Sequence, residues 1–198
     1  MKTDYVFPYK HNDPQQWYWF KEGFSRSELH KIYADLQNIP FERATTLGST
    51  DGGEVRRSNI KWLPRDEHWG WVYEKLINMA VEANNSLWHF DLHTAPEQIQ
   101  YTEYDAAELG HYDWHQDIGH GGASLRKVSI TVQLSESNEY DGGDLEIWQG
   151  GDIDTAQYTP RGAGNVIIFP SYMPHRVKPV TKGLRRSFVL WVGGEHYK

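Results

Sequence analysis

Between Lys127 and Leu134 polar and apolar side chains alternate without a break, Val128, Ile130, Val132 and Leu134 against Lys127, Ser129, Thr131 and Gln133. That period of two belongs to a β-strand with one buried face. The run is one of several that begin at Ile99: IQYTEY, RKVSITVQL, GDLEIW, GNVIIF, HRVKPV and RRSFVLWV. Turn signals such as Asp141-Gly-Gly and Arg161-Gly-Ala-Gly separate them, and Gly142-Gly143 suit a turn or bulge that needs positive φ. Short strands at this spacing predict a sandwich or jelly-roll barrel.

The first hundred residues read differently. Ser25-Arg-Ser-Glu28 has capping-box spacing ahead of Leu29, Ile32 and Leu36, which share one helical face. A second helix is expected after Pro64, through Trp71, Val72, Leu76, Ile77 and Ala80, loosening at Asn84-Asn85. These apolar residues are core and carry no function. Between the helices LGSTDGGEVRR, residues 47–57, reads as a flexible loop of the kind that covers sites. The expectation is a single domain over residues 1–198, mainly β with flanking helices (α+β). Residues 1–98 would form a helical N-terminal support and 99–193 the jelly-roll core.

Composition narrows the function. A net charge of −7 and no apparent basic face argue against nucleic acid as a partner. The absence of cysteine excludes disulfides, thiolate metal sites and a cysteine nucleophile. No apolar run reaches signal-peptide or membrane-spanning length, so a soluble, cytoplasmic protein without a membrane partner is expected. The oligomeric state is not legible.

Four His-x-Asp triplets occur: His11/Asp13, His89/Asp91, His111/Asp113 and His115/Asp117. On a strand, residues i and i+2 point the same way, so such a pair can bind one ion from one face. His11 and Asp13 lie in a polar segment beside Pro14, a poor place for a preorganised site, and His89 and Asp91 suit a surface role. For the overlapping pairs strand parity does not decide, because residues 111, 113, 115 and 117 would all face one way on an unbroken strand.

Further motifs follow in order: Tyr112-Asp-Trp-His115-Gln-Asp117, Tyr140-Asp-Gly-Gly-Asp-Leu145, Asn165-Val-Ile-Ile-Phe-Pro170, and His175-Arg-Val-Lys-Pro-Val-Thr-Lys-Gly-Leu-Arg185. Together they resemble the iron(II) and 2-oxoglutarate-dependent oxygenases of the prolyl 4-hydroxylase-like group, over residues 99–193. The resemblance implies a double-stranded β-helix, that is, a jelly roll. It places Tyr112 three residues before the metal triplet, which selects His115 and Asp117, with His175 as the third ligand, and leaves His111 and Asp113 outside. Two imidazoles and one carboxylate leave coordination positions open, as in non-haem Fe(II) oxygenases. Arg185 has the family's offset from His175 and would bind the far carboxylate of 2-oxoglutarate bidentately, with the Ser187 hydroxyl beside it. Arg186 is its rival. Tyr104 resembles a tyrosine that contacts the cosubstrate, and Trp191 a pocket tryptophan; both also suit an ordinary core.

The implied reaction uses Fe(II), 2-oxoglutarate and O2, with ascorbate as an accessory reductant. 2-Oxoglutarate would be decarboxylated to succinate and CO2 while an unactivated C–H bond, on a prolyl residue of a peptide or protein, is hydroxylated. Asp117 favours hydroxylation over halogenation, because related halogenases lack that carboxylate. Three alternatives stay open: the same chemistry on a free amino acid or other small molecule, a cupin-like metal enzyme indifferent to Arg185, and an aromatic-rich jelly-roll module that binds carbohydrate without iron. The loop 47–57 and the aromatic N-terminus are candidates for a groove that receives an extended peptide.

Overall fold

The computed structural model describes residues 16–44 and 55–196. The chain first forms β1 (Tyr18–Phe20), α1 (Arg26–Leu36), β2 (Glu42–Arg43), β3 (Arg56–Arg57), β4 (Asn59–Leu63), α2 (Gly70–Leu87) and β5 (Leu92–Thr94). There follow β6 (Ile99–Asp105), β7 (His111–His115), β8 (Arg126–Gln133), β9 (Tyr140–Gly142) and β10 (Leu145–Ile147). The last strands are β11 (Gln157–Tyr158), β12 (Val166–Pro170), β13 (His175–Val177) and β14 (Val180–Gly194).

The strands make two antiparallel sheets. A nine-stranded major sheet runs β1-β12-β8-β14-β6-β4-β2, with β5 and β9 paired to β14; a five-stranded minor sheet runs β11-β10-β13-β7-β3. This is the jelly roll expected from the strand pattern, and β1 to β5 of the first hundred residues are built into its two sheets.

The helices cover the outer face of the major sheet. In α1 the capping box forms as the spacing predicts, with the Ser25 hydroxyl accepting from the Glu28 amide and the Glu28 carboxylate accepting from the Ser25 amide. Leu29, Ile32 and Leu36 are buried, as are Val72, Leu76 and Ala80 of α2, while Trp71 and Ile77 pack at the margin. Helix α2 starts at Gly70, six residues past Pro64, because Asp66 first turns the chain by accepting from the Trp69 amide. The apolar faces of both helices join Val128, Ile130, Val132, Phe188, Leu190 and Val192 in one core cluster, with α2 lying against β8 and β14.

Strand β8 corrects one expectation. Its apolar parity faces the helices, but its polar parity is buried too: Lys127, Ser129, Thr131 and Gln133 are all below a tenth exposed. Ser129, Thr131 and Gln133 point between the sheets, where Ile167, Phe169, Leu145, Ile147, Met173 and Val177 form a second apolar cluster. The same division runs along β14, where Arg185, Ser187, Val189 and Trp191 line the interior cavity and Phe188, Leu190 and Val192 face the helices.

Gly142 and Gly143 have φ of 70° and 62°. A Cβ on Gly142 would lie 2.2 Å from the Pro179 carbonyl oxygen. Gly142→Ala therefore combines a left-handed backbone with a backbone clash, and is expected to destabilise the fold by about 2–3 kcal/mol, read as a lowered melting temperature in thermal unfolding.

Candidate active site

Strands β7 and β13 lie side by side in the minor sheet with His115 opposite His175. Counting on, Tyr112 pairs with Val177, so three steps on β7 match two on β13. The extra residue is a β-bulge. It breaks the parity on which the overlapping triplets depended and brings Tyr112 onto the side of His115, where the rings stack with centroids 3.4 Å apart. His111 instead turns its Nδ1 to the Leu109 carbonyl oxygen, and Asp113 is exposed. His89 and Asp91 are also exposed, and His11 and Asp13 lie outside the described residues.

His115, Asp117 and His175 offer ligand atoms that all lie within 4.8 Å of one another. His115 Nε2 is 3.7 Å from Asp117 Oδ1, and His175 Nε2 is 3.5 Å from Asp117 Oδ2. Each imidazole is oriented from behind: Nδ1 of His115 lies 2.7 Å from the Asp113 carbonyl oxygen and Nδ1 of His175 lies 2.9 Å from that of Met173. A carbonyl only accepts, so Nδ1 carries the proton and the Nε2 lone pairs turn to the common centre. Burial, aided by the neighbouring His175, pushes the His115 pKa down to about 3, which leaves the His115 ring neutral and able to bind a metal.

Asp117 is anchored through both its main chain and its carboxylate. Its amide donates to the Ser171 carbonyl oxygen at 2.9 Å, and its Oδ2 accepts from Ser129 Oγ at 2.6 Å, with Ser171 Oγ a further 2.9 Å away. Burial would raise this carboxyl, but His175, His115, Ser129 and the Trp191 indole outweigh it and hold the pKa below the usual carboxylate range. The indole N–H makes no well-formed hydrogen bond, so it acts by proximity. Two imidazoles and a carboxylate with their backs satisfied suit a divalent first-row ion and leave coordination positions open, so the residues fit Fe(II).

The same cavity, of about 550 Å³, reaches the polar parity of β14. Arg185 is 1% exposed. It donates to Gln133 Oε1 at 2.9 Å and to Ser187 Oγ at 3.3 Å, lies over the Tyr104 ring at 5.4 Å, and has no partner for Nε. Among the described residues no carboxylate pairs with it. Tyr104, Ser187 and Trp191 also line the cavity. Arg186 points to the other face of β14, where it pairs with Glu103 at 3.4 Å.

Sequence reasoning did not single out Ser129, Thr131 or Gln133, because the polar half of an alternating strand reads as a solvent face. It also missed Arg56, Glu97 and Arg126 at the mouth of the cavity, for which spacing carries no signal. Of the loop 47–57 only residues 55–57 are described, and there Arg56 reaches the cavity and lies 4.8 Å over the Tyr112 ring. At the N-terminus the described aromatics point elsewhere, Trp17 to Gln157 and Trp19 to Asn165; the residues before them lie outside the description.

The sequence profile of the 2OG-Fe(II) oxygenase superfamily matches residues 99–193. A PKHD-type hydroxylase of Synechococcus sp. (strain JA-2-3B'a(2-13)) is 42% identical over 173 residues, spanning 85% of this chain and 74% of that protein. The chain belongs to the PKHD-type hydroxylases. A prolyl-4-hydroxylase of Pseudomonas putida shares the fold of this hydroxylase, with a TM-score of 0.72 at 18% identity over 90% of this chain and 93% of the other. So does a Trichoplax adhaerens prolyl hydroxylase solved with a hypoxia inducible factor peptide fragment, with a TM-score of 0.72 at 15% identity over 90% and 83%. As a 2OG-Fe(II) oxygenase the chain is an enzyme of the dioxygenase class, and none of its described helices is long and apolar enough to cross a membrane.

Two outcomes test this geometry. Ser129→Ala removes the hydroxyl that orients Asp117 and is expected to weaken Fe(II) binding about tenfold, measured by anaerobic titration calorimetry. The depressed His115 also links stability to pH: the unfolded imidazole takes up a proton near 6.5, while the folded one refuses it until about 3. Its stabilisation is thus complete above 6.5 and is lost as pH falls through that window. Melting temperatures of the metal-free hydroxylase should fall from pH 6.5 towards 3, less steeply in His115→Asn.

Proposed function

We propose that this hydroxylase binds Fe(II) through His115, Asp117 and His175, anchors 2-oxoglutarate on Arg185, and hydroxylates a prolyl residue of a peptide or protein. The observation that carries the reading is Arg185. An Arg buried without a carboxylate is costly, and here it lines the same cavity as the His-Asp-His cluster. A dicarboxylate spanning from the cluster to the guanidinium relieves that cost. Such a ligand is what distinguishes the reading from a cupin-like metal enzyme.

The protein's own residues would orient, shield and discriminate. Gln133 and Ser187 fix the guanidinium from behind, as their bonds to it suggest, leaving its remaining donors for a bidentate contact with the far carboxylate. Tyr104, 3% exposed and beneath the guanidinium, would wall the cosubstrate from water, and Trp191 would close the side next to Asp117. The chemistry that Fe(II), O2 and 2-oxoglutarate supply when bound is hydroxylation of an unactivated C–H bond coupled to formation of succinate and CO2. The cavity falls inside the range of about 300–1,000 Å³ usual for small-molecule sites, which suits the cosubstrate plus one inserted side chain. A prolyl target in an extended chain is supported by the PKHD-type relatives and by the fold shared with prolyl hydroxylases.

Anaerobic addition of Fe(II) and 2-oxoglutarate should give the weak visible charge-transfer band of a bidentate keto-acid complex. Arg185→Ala should raise the 2-oxoglutarate Kd about a hundredfold, the loss of two charge-assisted bonds of about 1.5 kcal/mol each, while His111→Ala leaves it unchanged. No band in the wild type with iron bound would overturn the cosubstrate assignment. Peptides gaining one oxygen atom on proline, with free proline inert, would identify the substrate class; oxidation of free amino acids alone would refute it.

A further inference from the structure

At the mouth of the cavity Arg126 touches three things at once. Its Nε donates to Glu97 Oε1 at 2.9 Å and Nη2 lies 2.8 Å from the same oxygen, while Nη1 donates to the main-chain carbonyl of Asp117 at 3.0 Å. The guanidinium carbon sits 3.8 Å from the centre of the Trp191 ring. A permanent cation thus lies beside the residue whose carboxylate belongs to the metal cluster, yet among the described residues it forms an ion pair with Glu97 and none with that carboxylate.

This choice of partner has a chemical consequence. A guanidinium on the Asp117 carboxylate would occupy the lone pairs that a metal needs and neutralise the charge that attracts it. Bonding the carbonyl instead steadies the Asp117 backbone and leaves the carboxylate to its Ser129 bond and the two imidazoles. Glu97 is itself held in place, since Arg65 donates to the carbonyls of Ala95 and Glu97.

We propose that Glu97 is a positioning residue that sequesters Arg126, holding its charge on the main-chain carbonyl of Asp117 and away from the metal-binding carboxylate. The proposal rests on the metal assignment made above and needs neither 2-oxoglutarate nor the substrate. Removing the negative charge at 97 frees the cation to compete with the metal for Asp117. Removing the cation as well removes the competitor.

The test is Co(II) binding, read by titration calorimetry and by the visible absorption of the bound ion, on folded protein isolated by size exclusion. Glu97→Gln should weaken Co(II) binding by about ten- to a hundredfold, the range for lost outer partners of metal ligands. Arg126→Gln should weaken it less, and Glu97→Gln combined with Arg126→Gln should return to the level of Arg126→Gln alone. Glu97→Asp, which keeps the charge, should stay within about threefold of the wild type.

A merely structural role for the pair would lower the melting temperature of every variant and make the double variant the weakest binder. That result overturns the proposal, as does wild-type affinity in Glu97→Gln. If Glu97→Gln does not fold, Glu97→Asp and the double variant carry the test, and a double variant weaker than Arg126→Gln sinks it. A wild type that binds no Co(II) would refute the metal assignment itself, whereas a wild type that binds Co(II) but shows no 2-oxoglutarate band would refute only the cosubstrate.

Discussion

Polar groups between two sheets are tolerated only when each finds a partner, and the interior of this barrel is organised around meeting that demand at two poles. At one, Asp117 gathers Ser129, a main-chain carbonyl and two imidazoles. At the other, Arg185 gathers Gln133 and Ser187. The negative pole is short of a cation and the positive pole is short of an anion. In the reading proposed above, a metal and an acid bound together would compensate both sides of the one cavity, and either alone would leave the other pole uncompensated.

The walls divide the labour. The major sheet, stiffened by two helices, supplies Arg185, Gln133, Ser187, Ser129 and Trp191 from β8 and β14. The minor sheet supplies both histidines from β7 and β13, and its irregularity is local: one bulge between Tyr112 and His115 turns the second His-x-Asp triplet inward. In the reading proposed above, the metal would take its imidazoles from the minor sheet and the cosubstrate its guanidinium from the major one, which also supplies the Ser129 bond to Asp117.

How much of this was legible in the sequence varies with the physical origin of each feature. Helix α1 was readable because its capping box and its 3.6-residue stripe are local in sequence. Strand β8 was readable as a strand from its period of two, but its polar parity was indistinguishable from a solvent face, because the pattern records polarity and not what lies opposite. That hid Ser129 and Gln133. The choice between His111 and His115 depended on a bulge, a register event between two strands some sixty residues apart, and only the family resemblance selected His115. Glu97 and Arg126 are brought together by tertiary packing of a loop on a strand end, which no spacing encodes.

Strand β14 runs for fifteen residues and carries Arg185, Ser187 and Trp191 on one face while pairing with β5, β6, β8 and β9. It works as a ruler on which Arg185, the proposed anchor for the acid, and Trp191, the wall beside Asp117, stand at alternate positions. A slip of one residue would exchange Arg185 for Arg186 and hand the cavity Phe188 in place of Ser187. The distance from Arg185 to the Trp191 wall beside Asp117 is thus a property of one continuous backbone, and in the reading proposed above the length of acid accepted would be altered through the depth of the side chains along it rather than through their spacing.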